Sequence, residues 1–261
     1  MPYNRVNFEC SMKENKTVVI TGGNRGIGLS ITQAFVDAGF SVYVGARNEA
    51  GLGDRFGDSV TFVKTDVRNE SDHQHLVNLA VEATDRLDVF INNAGYSEWR
   101  PIAAINEEFL DDIIATNLKG AFWGCKAALQ AMVEGGSIIN ISSIASKRGS
   151  ANNSAYVATK FAMNGLTQSL AKEVGPRGIR VNGVCPVLIP TEGLLEALKS
   201  PYGPANGDGA GFIARFALDN AALKRLPTGA EVAAMCLFLA SDAASAVTAQ
   251  NINVDCGVFP Q

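Results

Sequence analysis

The sequence predicts an α/β fold in which a parallel sheet is covered by helices. Short apolar runs alternate with longer apolar-periodic segments along most of the 261 residues, the pattern of repeated β-α-β units with right-handed crossovers. The strand-like runs are apolar on both faces, as in strands buried between two layers of helices. Hydrophobic residues make up 47% of the chain and charged residues 18%, which allows a large core.

Seven strand-like runs and four long helical patterns follow one another along the chain. The first strand is β-branched, Thr17-Val18-Val19-Ile20, and Gly39 ends the segment after it, as a glycine just past a helix does. Ser71 or Asp72 can cap a helix that runs to about Arg86. The predicted strands cover residues 17–20, 42–44, 60–63, 87–91, 137–141, 179–184 and 252–254, and the other helices cover residues 27–38, 107–133 and 154–174.

The length suits one domain over residues 16–261, after a polar tail over residues 1–15. The tail lacks the apolar stretch of a signal peptide, and no apolar run approaches the ~18 residues of a membrane span. We therefore expect a cytoplasmic protein that does not bind membranes. Residues 191–226 are rich in glycine and proline and are expected to form an irregular loop, either a substrate lid or a disordered insertion.

Charge and cysteine content argue against several classes of protein. A net charge of −4 does not suit a general nucleic-acid binder, which needs a basic surface. The five cysteines are widely spaced and form no Cys-x-x-Cys pair, which favours free thiols in a reducing compartment over disulfides or zinc. His73 and His75 form a His-x-His pair without an evident third ligand, so we expect a solvated helix end and no metal site.

A glycine turn lies between the first strand and the first helix. Gly22, Gly26 and Gly28 let the backbone turn tightly and approach a pyrophosphate, to which the helix start offers free N–H groups and partial positive charge. The spacing G-x-x-x-G-x-G differs from the common G-x-G-x-x-G, and alone it would also fit an ordinary strand–helix turn. Its place directly after the first strand favours dinucleotide binding.

Tyr156 and Lys160 form a Tyr-x-x-x-Lys pair, which places both side chains on one face of a helix. A free tyrosine has a pKa of about 10 and is a poor base near neutrality, and a nearby ammonium is expected to lower that pKa. Ser143 lies 13 residues before Tyr156, at the end of a strand-like run. Ser142 is its alternative, because adjacent strand residues point to opposite faces and only one of them can face a site.

With these motifs the chain resembles the short-chain dehydrogenase/reductase family, from about residue 16 to its end. The resemblance extends to Asn92-Asn93-Ala94-Gly95 after the fourth strand, Asp66-Val67 after the third, Asn117 in a helix, and Arg180-Val181-Asn182. It implies a Rossmann-like, doubly wound sheet of seven parallel strands in the order 3-2-1-4-5-6-7, with the cofactor at the carboxyl ends of the strands.

The resemblance also implies a role for each matching residue. The family spacing chooses Ser143 over Ser142, to bind a carbonyl oxygen beside Tyr156 as acid or base, and Asn117 would hold a water that links Lys160 to solvent. The implied catalytic residues are thus Ser143, Tyr156, Lys160 and Asn117. The implied cofactor-binding residues are Gly22, Asn24, Arg25, Gly26, Ile27, Gly28, Arg47, Asp66, Val67, Asn93, Ala94, Gly95, Tyr156, Lys160, Pro186 and Thr191.

The end of the second strand predicts which nicotinamide is used. Members that prefer NAD place an acid about where Ala46 stands, and here that acid is absent. Arg47 follows, and Arg25 lies in the glycine turn, so that two guanidinium groups can bind a 2′-phosphate. We therefore predict NADP(H) as the preferred cofactor, with NAD(H) possible; the alternative is that both arginines are only solvated.

Three positions depart from the family pattern. Val187, Ala249 and Cys256 stand where the family usually has glycine. A β-branched residue at 187 disfavours positive φ and adds bulk near the nicotinamide, which could narrow the substrate pocket. The other two changes are expected to alter local packing or a subunit contact and to leave the chemistry intact.

The predicted function is hydride transfer between nicotinamide and a secondary alcohol or ketone. Polar residues between Ser143 and Tyr156 point to a polar substrate such as a polyol, sugar or hydroxy acid, unless they form a solvated loop. A 3-oxoacyl-thioester reductase is an alternative, as is a non-catalytic dinucleotide-sensing protein. Similar members are commonly homotetramers, which implies a homotetramer or homodimer. The polar residues in question are Lys147, Arg148, Asn152 and Asn153.

Overall fold

Residues 16–260 are described by the computed structural model and contain one parallel sheet of seven strands in the order 3-2-1-4-5-6-7. The predicted fold class and strand order are confirmed. The tail predicted over residues 1–15 lies outside the described residues. The strands are β1 (Thr17–Thr21), β2 (Ser41–Ala46), β3 (Val60–Lys64), β4 (Val89–Asn92), β5 (Ser137–Ile141), β6 (Arg180–Pro186) and β7 (Asn251–Val254).

Helices cover both faces of this sheet. They are α1 (Gly26–Asp37), α2 (Leu52–Phe56), α3 (Glu70–Thr84), α4 (Glu107–Ile114), α5 (Gly120–Ala131), α6 (Ser154–Val174), α7 (Glu192–Ala197), α8 (Gly209–Asn220) and α9 (Gly229–Ala240). Val18 and Ile20 on β1 face the core formed with α1 and α9, whereas Val19 faces the core formed with α3, α5 and α6. Across residues 16–260, no helix has both the length and the apolar character needed to cross a bilayer.

The predicted helix over residues 107–133 is interrupted. A π-helical turn at Ala115–Lys119 separates α4 from α5, and α5 ends at Ala131. Asn117 lies in this turn and its side chain is fully buried. Because π turns are rare and concentrate at functional sites, the interruption marks this residue as one that the fold places inward.

The expectation of a solvated histidine pair is wrong for His73. Its ring is fully buried, and Nε2 lies 3.0 Å from the Val67 carbonyl oxygen, to which it can donate. Helix α3 starts at Glu70, so His73 sits in its first turn and points inward, where burial lowers the pKa of the imidazole. His75, two residues on, is exposed as expected.

The segment over residues 191–226 is not an irregular loop. It contains α7 and α8, which begin at the capping residues Thr191 and Asp208. Each cap accepts a backbone hydrogen bond, from Leu194 at 3.2 Å and from Gly211 at 2.8 Å. The helices enclose a small apolar core of their own. Its buried residues are Trp99, Leu198 and Ala205, and Leu194, Ala197, Phe212 and Ile213 pack against them. The glycines and prolines thus flank two helices that pack against each other.

Two departures from the family pattern carry left-handed backbone. Ala249 has a φ of 61° and Cys256 a φ of 54°. The backbone at both positions thus has the conformation that glycine adopts readily and that costs other residues roughly 1–2 kcal/mol.

Replacing these residues by glycine is expected to stabilise the fold. Ala249→Gly removes the left-handed strain but increases the entropy of the unfolded chain, for a net gain of up to about 1 kcal/mol in the free energy of unfolding. Urea denaturation measures this difference. Ala214→Gly, in the interior of α8, is the control and should cost about 1 kcal/mol. A loss of stability in Ala249→Gly would mean that its methyl group makes contacts that outweigh the strain.

Candidate active site

A cleft of about 1230 Å³ opens at the carboxyl ends of the strands. Its walls come from the segments that follow β1 to β6, and α7 and α8 close one side. Ligand pockets in proteins typically measure about 300–1,000 Å³, so this cleft can hold a second molecule beside a large one. Every predicted cofactor-binding residue lines it, and of the four predicted catalytic residues only the buried Asn117 does not.

The glycine turn forms one end of the cleft. Gly22 has a φ of 66°, and a Cβ built on Gly28 would overlap the Gly22 carbonyl oxygen, so that larger residues cannot form this turn. Asn93 supports it from β4: Nδ2 donates to the carbonyl oxygens of Thr21 at 3.0 Å and Gly22 at 2.9 Å. The Asn93 side chain therefore acts on the shape of the turn.

The first turn of α1 is open to an anion. No side chain caps it, and it contains no acidic residue, so its free N–H groups and partial positive charge face the cleft. Asn24 points away from this position and donates to the Asn48 carbonyl oxygen at 2.9 Å. Thr191 lies above the turn, with Cγ2 3.4 Å from the position of a Cβ on Gly26. The residues present thus fit a pyrophosphate, and this fit rests on unpaired backbone donors.

A polar chain that the motifs did not reveal borders the adjacent part of the cleft. Asp66 pairs with Arg68 at 2.5 Å, Arg68 with Asp112 at 2.8 Å, and the Tyr96 hydroxyl donates to Asp112 at 2.8 Å. The pKa of Asp66 is lowered, mainly by its hydrogen bond from Arg68 and to a smaller extent by the charge of Arg47. This series of polar contacts joins residues that are distant in sequence. In the sequence, only their acidic and basic side chains could have indicated such contacts.

Ser143 and Tyr156 meet in the cleft. Ser142, the alternative, also lines the cleft, but it is buried and its hydroxyl donates to Oδ1 of Asn164 at 2.9 Å. Ser143 follows β5 in extended backbone, and its Oγ accepts from the Ala145 N–H at 3.1 Å. Its side chain also interacts with the Tyr156 hydroxyl. The geometry thus separates the two serines as the alternation of strand residues requires.

The pKa of Tyr156 differs from expectation. Burial raises it above the usual value, and the interaction with Ser143 only partly opposes this effect. Lys160 lies below the ring, with Nζ 5.7 Å from the ring centroid, and donates to the Ile141 carbonyl oxygen at 2.8 Å. Burial lowers the pKa of Lys160 to about 8, so its positive charge is itself weakened. The prediction of a lowered tyrosine pKa is therefore wrong for this structure.

Asn117 is held by backbone groups beside this pair. Its Oδ1 accepts from the Tyr96 N–H at 3.0 Å, and its Nδ2 donates to the Tyr96 carbonyl oxygen at 2.8 Å. A Cβ on Gly95 would lie 3.0 Å from Asn117 Oδ1 and 3.9 Å from Lys160 Nζ. The amide and the ammonium thus flank the same glycine, and the lack of a side chain there leaves the space between them open.

Comparison with known proteins now assigns the family. A family model described as enoyl-(acyl carrier protein) reductase matches residues 22–259. The chain belongs to the short-chain dehydrogenase/reductase family. Short-chain dehydrogenases/reductases are nicotinamide-dependent oxidoreductases. This membership disfavours a non-catalytic sensor, as does the presence of the four predicted catalytic residues, Ser143, Tyr156, Lys160 and Asn117, at one site.

Individual short-chain dehydrogenases/reductases resemble the chain over nearly its full length. The 3-oxoacyl-[acyl-carrier-protein] reductase FabG of Chlamydia muridarum is 34% identical over 260 residues, which cover 95% of this chain and 99% of that protein. The short chain dehydrogenase/reductase astE of Aspergillus oryzae is 37% identical over 256 residues, covering 94% and 95%. A solved structure of an actinorhodin polyketide ketoreductase variant with NADPH has a TM-score of 0.86 at 30% identity, covering 94% and 97%.

One of the three departures from the family pattern, Val187, lies in the wall of the cleft. Val187 is buried against Ile144, Ala221 and Val258 and also lines the cleft. Its φ is not positive, so valine fits this backbone without strain. Pro186 ends β6 beside Val254 and leads the chain into the cleft wall. The bulk of Val187 is thus shared between an apolar core and the pocket.

Three of the four predicted polar substrate residues are already hydrogen-bonded. Asn153 donates to Ser150 Oγ at 3.3 Å and accepts from the Ser97 hydroxyl at 3.5 Å. Lys147 Nζ donates to the Asn251 carbonyl oxygen at 2.6 Å, and Asn152 Nδ2 donates to the Tyr202 carbonyl oxygen at 3.1 Å, so both hold loops together. Arg148 and Asn153 line the cleft. The opposite wall is apolar and is formed by Trp99, Leu194, Phe212 and Phe216.

Proposed function

We propose that the protein is an NADP(H)-dependent oxidoreductase that interconverts a secondary alcohol and a ketone. The observation that carries the proposal is the meeting of Ser143, Tyr156 and Lys160 on one side of a cleft whose other end fits a dinucleotide. When bound there, the nicotinamide supplies or accepts the hydride.

The side chains divide the proton chemistry among them. Tyr156, whose raised pKa keeps it protonated, donates its proton to the ketone oxygen during reduction. Ser143 donates a hydrogen bond to the same oxygen and stabilises the charge that develops on it. Lys160, with a pKa of about 8, can release and regain a proton near neutrality, and so relays protons past Asn117 toward solvent.

The preference for NADP(H) rests on charge at the end of β2. Ala46 offers no carboxylate to the ribose hydroxyls, and Arg25 and Arg47 are both exposed at the cleft. Asp66 is paired with Arg68, which it shares with Asp112, and this pairing reduces its repulsion of a phosphate. A 2′-phosphate would give the Arg25 and Arg47 guanidinium groups an anionic partner.

Arg47→Asp tests this preference. It removes one phosphate partner and adds an acceptor for ribose hydroxyls, so the ratio of kcat/KM for NADPH to that for NADH should fall on the order of 10- to 100-fold. Initial rates with both cofactors measure the ratio. Arg55→Asp, the same charge change outside the cleft, should leave the ratio in place. An unchanged ratio in Arg47→Asp would assign Arg47 to the solvated surface.

For the substrate we propose a small molecule with a polar group beside its carbonyl or hydroxyl carbon, such as a polyol, sugar or hydroxy acid. Arg148 can bind that group, because it lines the cleft and its guanidinium offers charged donors. Phe212 and Phe216 supply an apolar surface for the carbon skeleton. A hydroxy or keto acid uses both walls and is the member of this class that the pocket favours.

A 3-oxoacyl thioester is the second candidate, supported by the similarity to FabG and to the polyketide ketoreductase. The apolar wall could hold an acyl chain. An acidic carrier protein, however, needs exposed unpaired cations, and three around α7 and α8 are neutralised by ion pairs. These pairs are Lys199 with Glu196, Arg215 with Asp208 and Arg225 with Glu231.

Nicotinamide absorbance with purified protein tests the function. NADP(H) and NAD(H) are each offered with polyols, sugars, hydroxy acids, simple ketones and 3-oxoacyl thioesters. Turnover of a polar alcohol or keto compound supports the proposal, and turnover confined to thioesters selects the second candidate. Tight cofactor binding without turnover of any class would contradict both.

We also propose a homotetramer, or a homodimer, in a reducing compartment such as the cytoplasm. Phe122 on α5 and Phe161 on α6 are 48% and 46% exposed, which suits a face covered by a second copy. The four cysteines within residues 16–260 are free thiols, as a reducing compartment requires. Light scattering measures the molar mass in solution, and Phe122→Glu is expected to form a smaller assembly than the parent protein. A monomeric parent protein would overturn the proposed oligomer.

A further inference from the structure

A polar cluster of Ser142, Ser146, Asn164 and Cys185 lies beside Ser143, and of these four residues only Ser142 lines the cleft. Asn164 on α6 accepts from the Ser142 hydroxyl at 2.9 Å and donates to Ser146 Oγ at 2.8 Å. Ser146 Oγ in turn donates to the Ser143 carbonyl oxygen at 2.5 Å and lies 3.7 Å from Cys185 Sγ on β6. One side-chain amide therefore holds the chain on both sides of Ser143.

We infer that Asn164 is a positioning residue that fixes the Ser143 turn against the helix carrying Tyr156 and Lys160. It follows Lys160 by one helical turn on α6, so its amide moves with the reacting pair. Two other bonds join β5 to α6, from Lys160 Nζ to the Ile141 carbonyl oxygen and from Asn140 to Thr167. Asn164 adds the bonds that reach the turn carrying Ser143. This inference rests on the proposed function, because its consequence is the placement of a hydroxyl relative to a phenol.

The chemistry of the cluster explains why an amide is used. An amide is a neutral group that accepts with its oxygen and donates with its nitrogen at once, as the two serines require. Ser142, Ser146 and Cys185 are each at most 3% exposed, so water cannot replace a lost partner easily. Removing the amide leaves the buried Ser142 hydroxyl without its acceptor, whereas Ser146 loses a donor and keeps its bond to the Ser143 carbonyl oxygen. The turn that carries Ser143 is then no longer tied to α6 through this cluster.

The consequence for activity follows from the geometry that catalysis needs. Displacement of a reacting group by about 1 Å can cost on the order of 100-fold in rate. Asn164→Ala is therefore expected to lower kcat on the order of 10- to 100-fold, while the KM for NADPH changes little because the glycine turn is untouched. Gln168→Ala, an exposed amide one turn further along α6, is the matched control and should keep the parent kcat.

A double-variant cycle separates positioning from general damage. Kinetics are measured for Asn164→Ala, Ser143→Ala and the two changes combined, with the substrate found in the absorbance panel. If Asn164 acts through Ser143, it should cost little further rate once the Ser143 hydroxyl is gone. A combined loss equal to the product of the two single losses would overturn the inference, as would an unchanged kcat in Asn164→Ala.

A second variant covers the case in which Asn164→Ala does not fold. Ser146→Ala cuts the same link from its other end and should show the same loss of kcat and the same dependence on the Ser143 hydroxyl. Parent kcat in Ser146→Ala would contradict the inference. The proposed function is judged separately, by whether the parent enzyme turns over any substrate of the panel, so the two failures are distinguishable.

Discussion

Tyr156→Phe is expected to lower kcat on the order of 10²- to 10⁴-fold while NADPH binding is largely kept. The substitution removes one oxygen, and with it the proton that the ketone oxygen receives during reduction. The ring remains packed against the cluster of Phe109, Ile113 and Ala155, so the shape of the site is preserved. Initial rates at saturating substrate, followed by nicotinamide absorbance, give kcat, and fluorescence titration gives the Kd of the cofactor.

Tyr43→Phe is the control for this experiment. Tyr43 is 8% exposed on β2, outside the cleft, and loses the same hydroxyl without a catalytic role. It should retain the parent kcat. A Tyr156→Phe enzyme with near-parent kcat would assign the proton to another group, and a variant that no longer binds NADPH would show that the phenol holds the cofactor instead.

Periodicity and motif spacing were sufficient to predict most of the fold. Each apolar run became a strand, because a parallel strand buried on both faces has to be apolar throughout. The strand ends were less well predicted: β2 continues through Gly45 and Ala46, whose small side chains carry little pattern. Within residues 191–226, the closely spaced glycines and prolines concealed α7 and α8, because such residues are typical of loops and α7 has only six residues.

The parts of the site that could be predicted are those in which several functional residues lie close together in the sequence, as in the glycine turn and the Tyr-x-x-x-Lys pair. Arg68 binds Asp112 across 44 positions of the chain, and such a partner can be found only when the fold is known. The pKa of Tyr156 was mispredicted for a related reason. Sequence spacing brings a cation near the phenol, but the depth of burial, which dominates here, depends on elements distant in sequence.

Lys160→Met is expected to abolish most activity and yet to stabilise the fold near neutral pH. The activity loss should be on the order of 10²- to 10³-fold, because the buried charge that favours proton transfer at Tyr156 disappears. The stability gain follows from burial: the pKa of Lys160 falls from 10.5 to about 8 in the folded protein. At about 1.4 kcal/mol per pKa unit, holding the protonated amine in the fold costs about 3 kcal/mol at pH 7.

Part of this gain is lost again in the variant. Methionine leaves the Ile141 carbonyl oxygen without its donor, at a cost of about 1–3 kcal/mol, so we expect a net gain of about 1 kcal/mol. The lowered pKa of Lys160 fixes how this cost to the free energy of unfolding changes with pH. Folding favours the neutral amine, so the cost in the parent protein is complete below pH 8, shrinks as the pH rises, and vanishes above about 10.5.

Thermal or urea unfolding at pH 7 and pH 10 therefore distinguishes this account from simple damage. The advantage of Lys160→Met over the parent should be larger at pH 7 than at pH 10. Lys172→Met, an exposed lysine on the same helix, should change neither stability nor kcat appreciably. A destabilised Lys160→Met protein at pH 7 would mean that the favourable contacts of the ammonium outweigh the free energy cost of its burial. Lys160 would then stabilise the fold as well as take part in proton transfer.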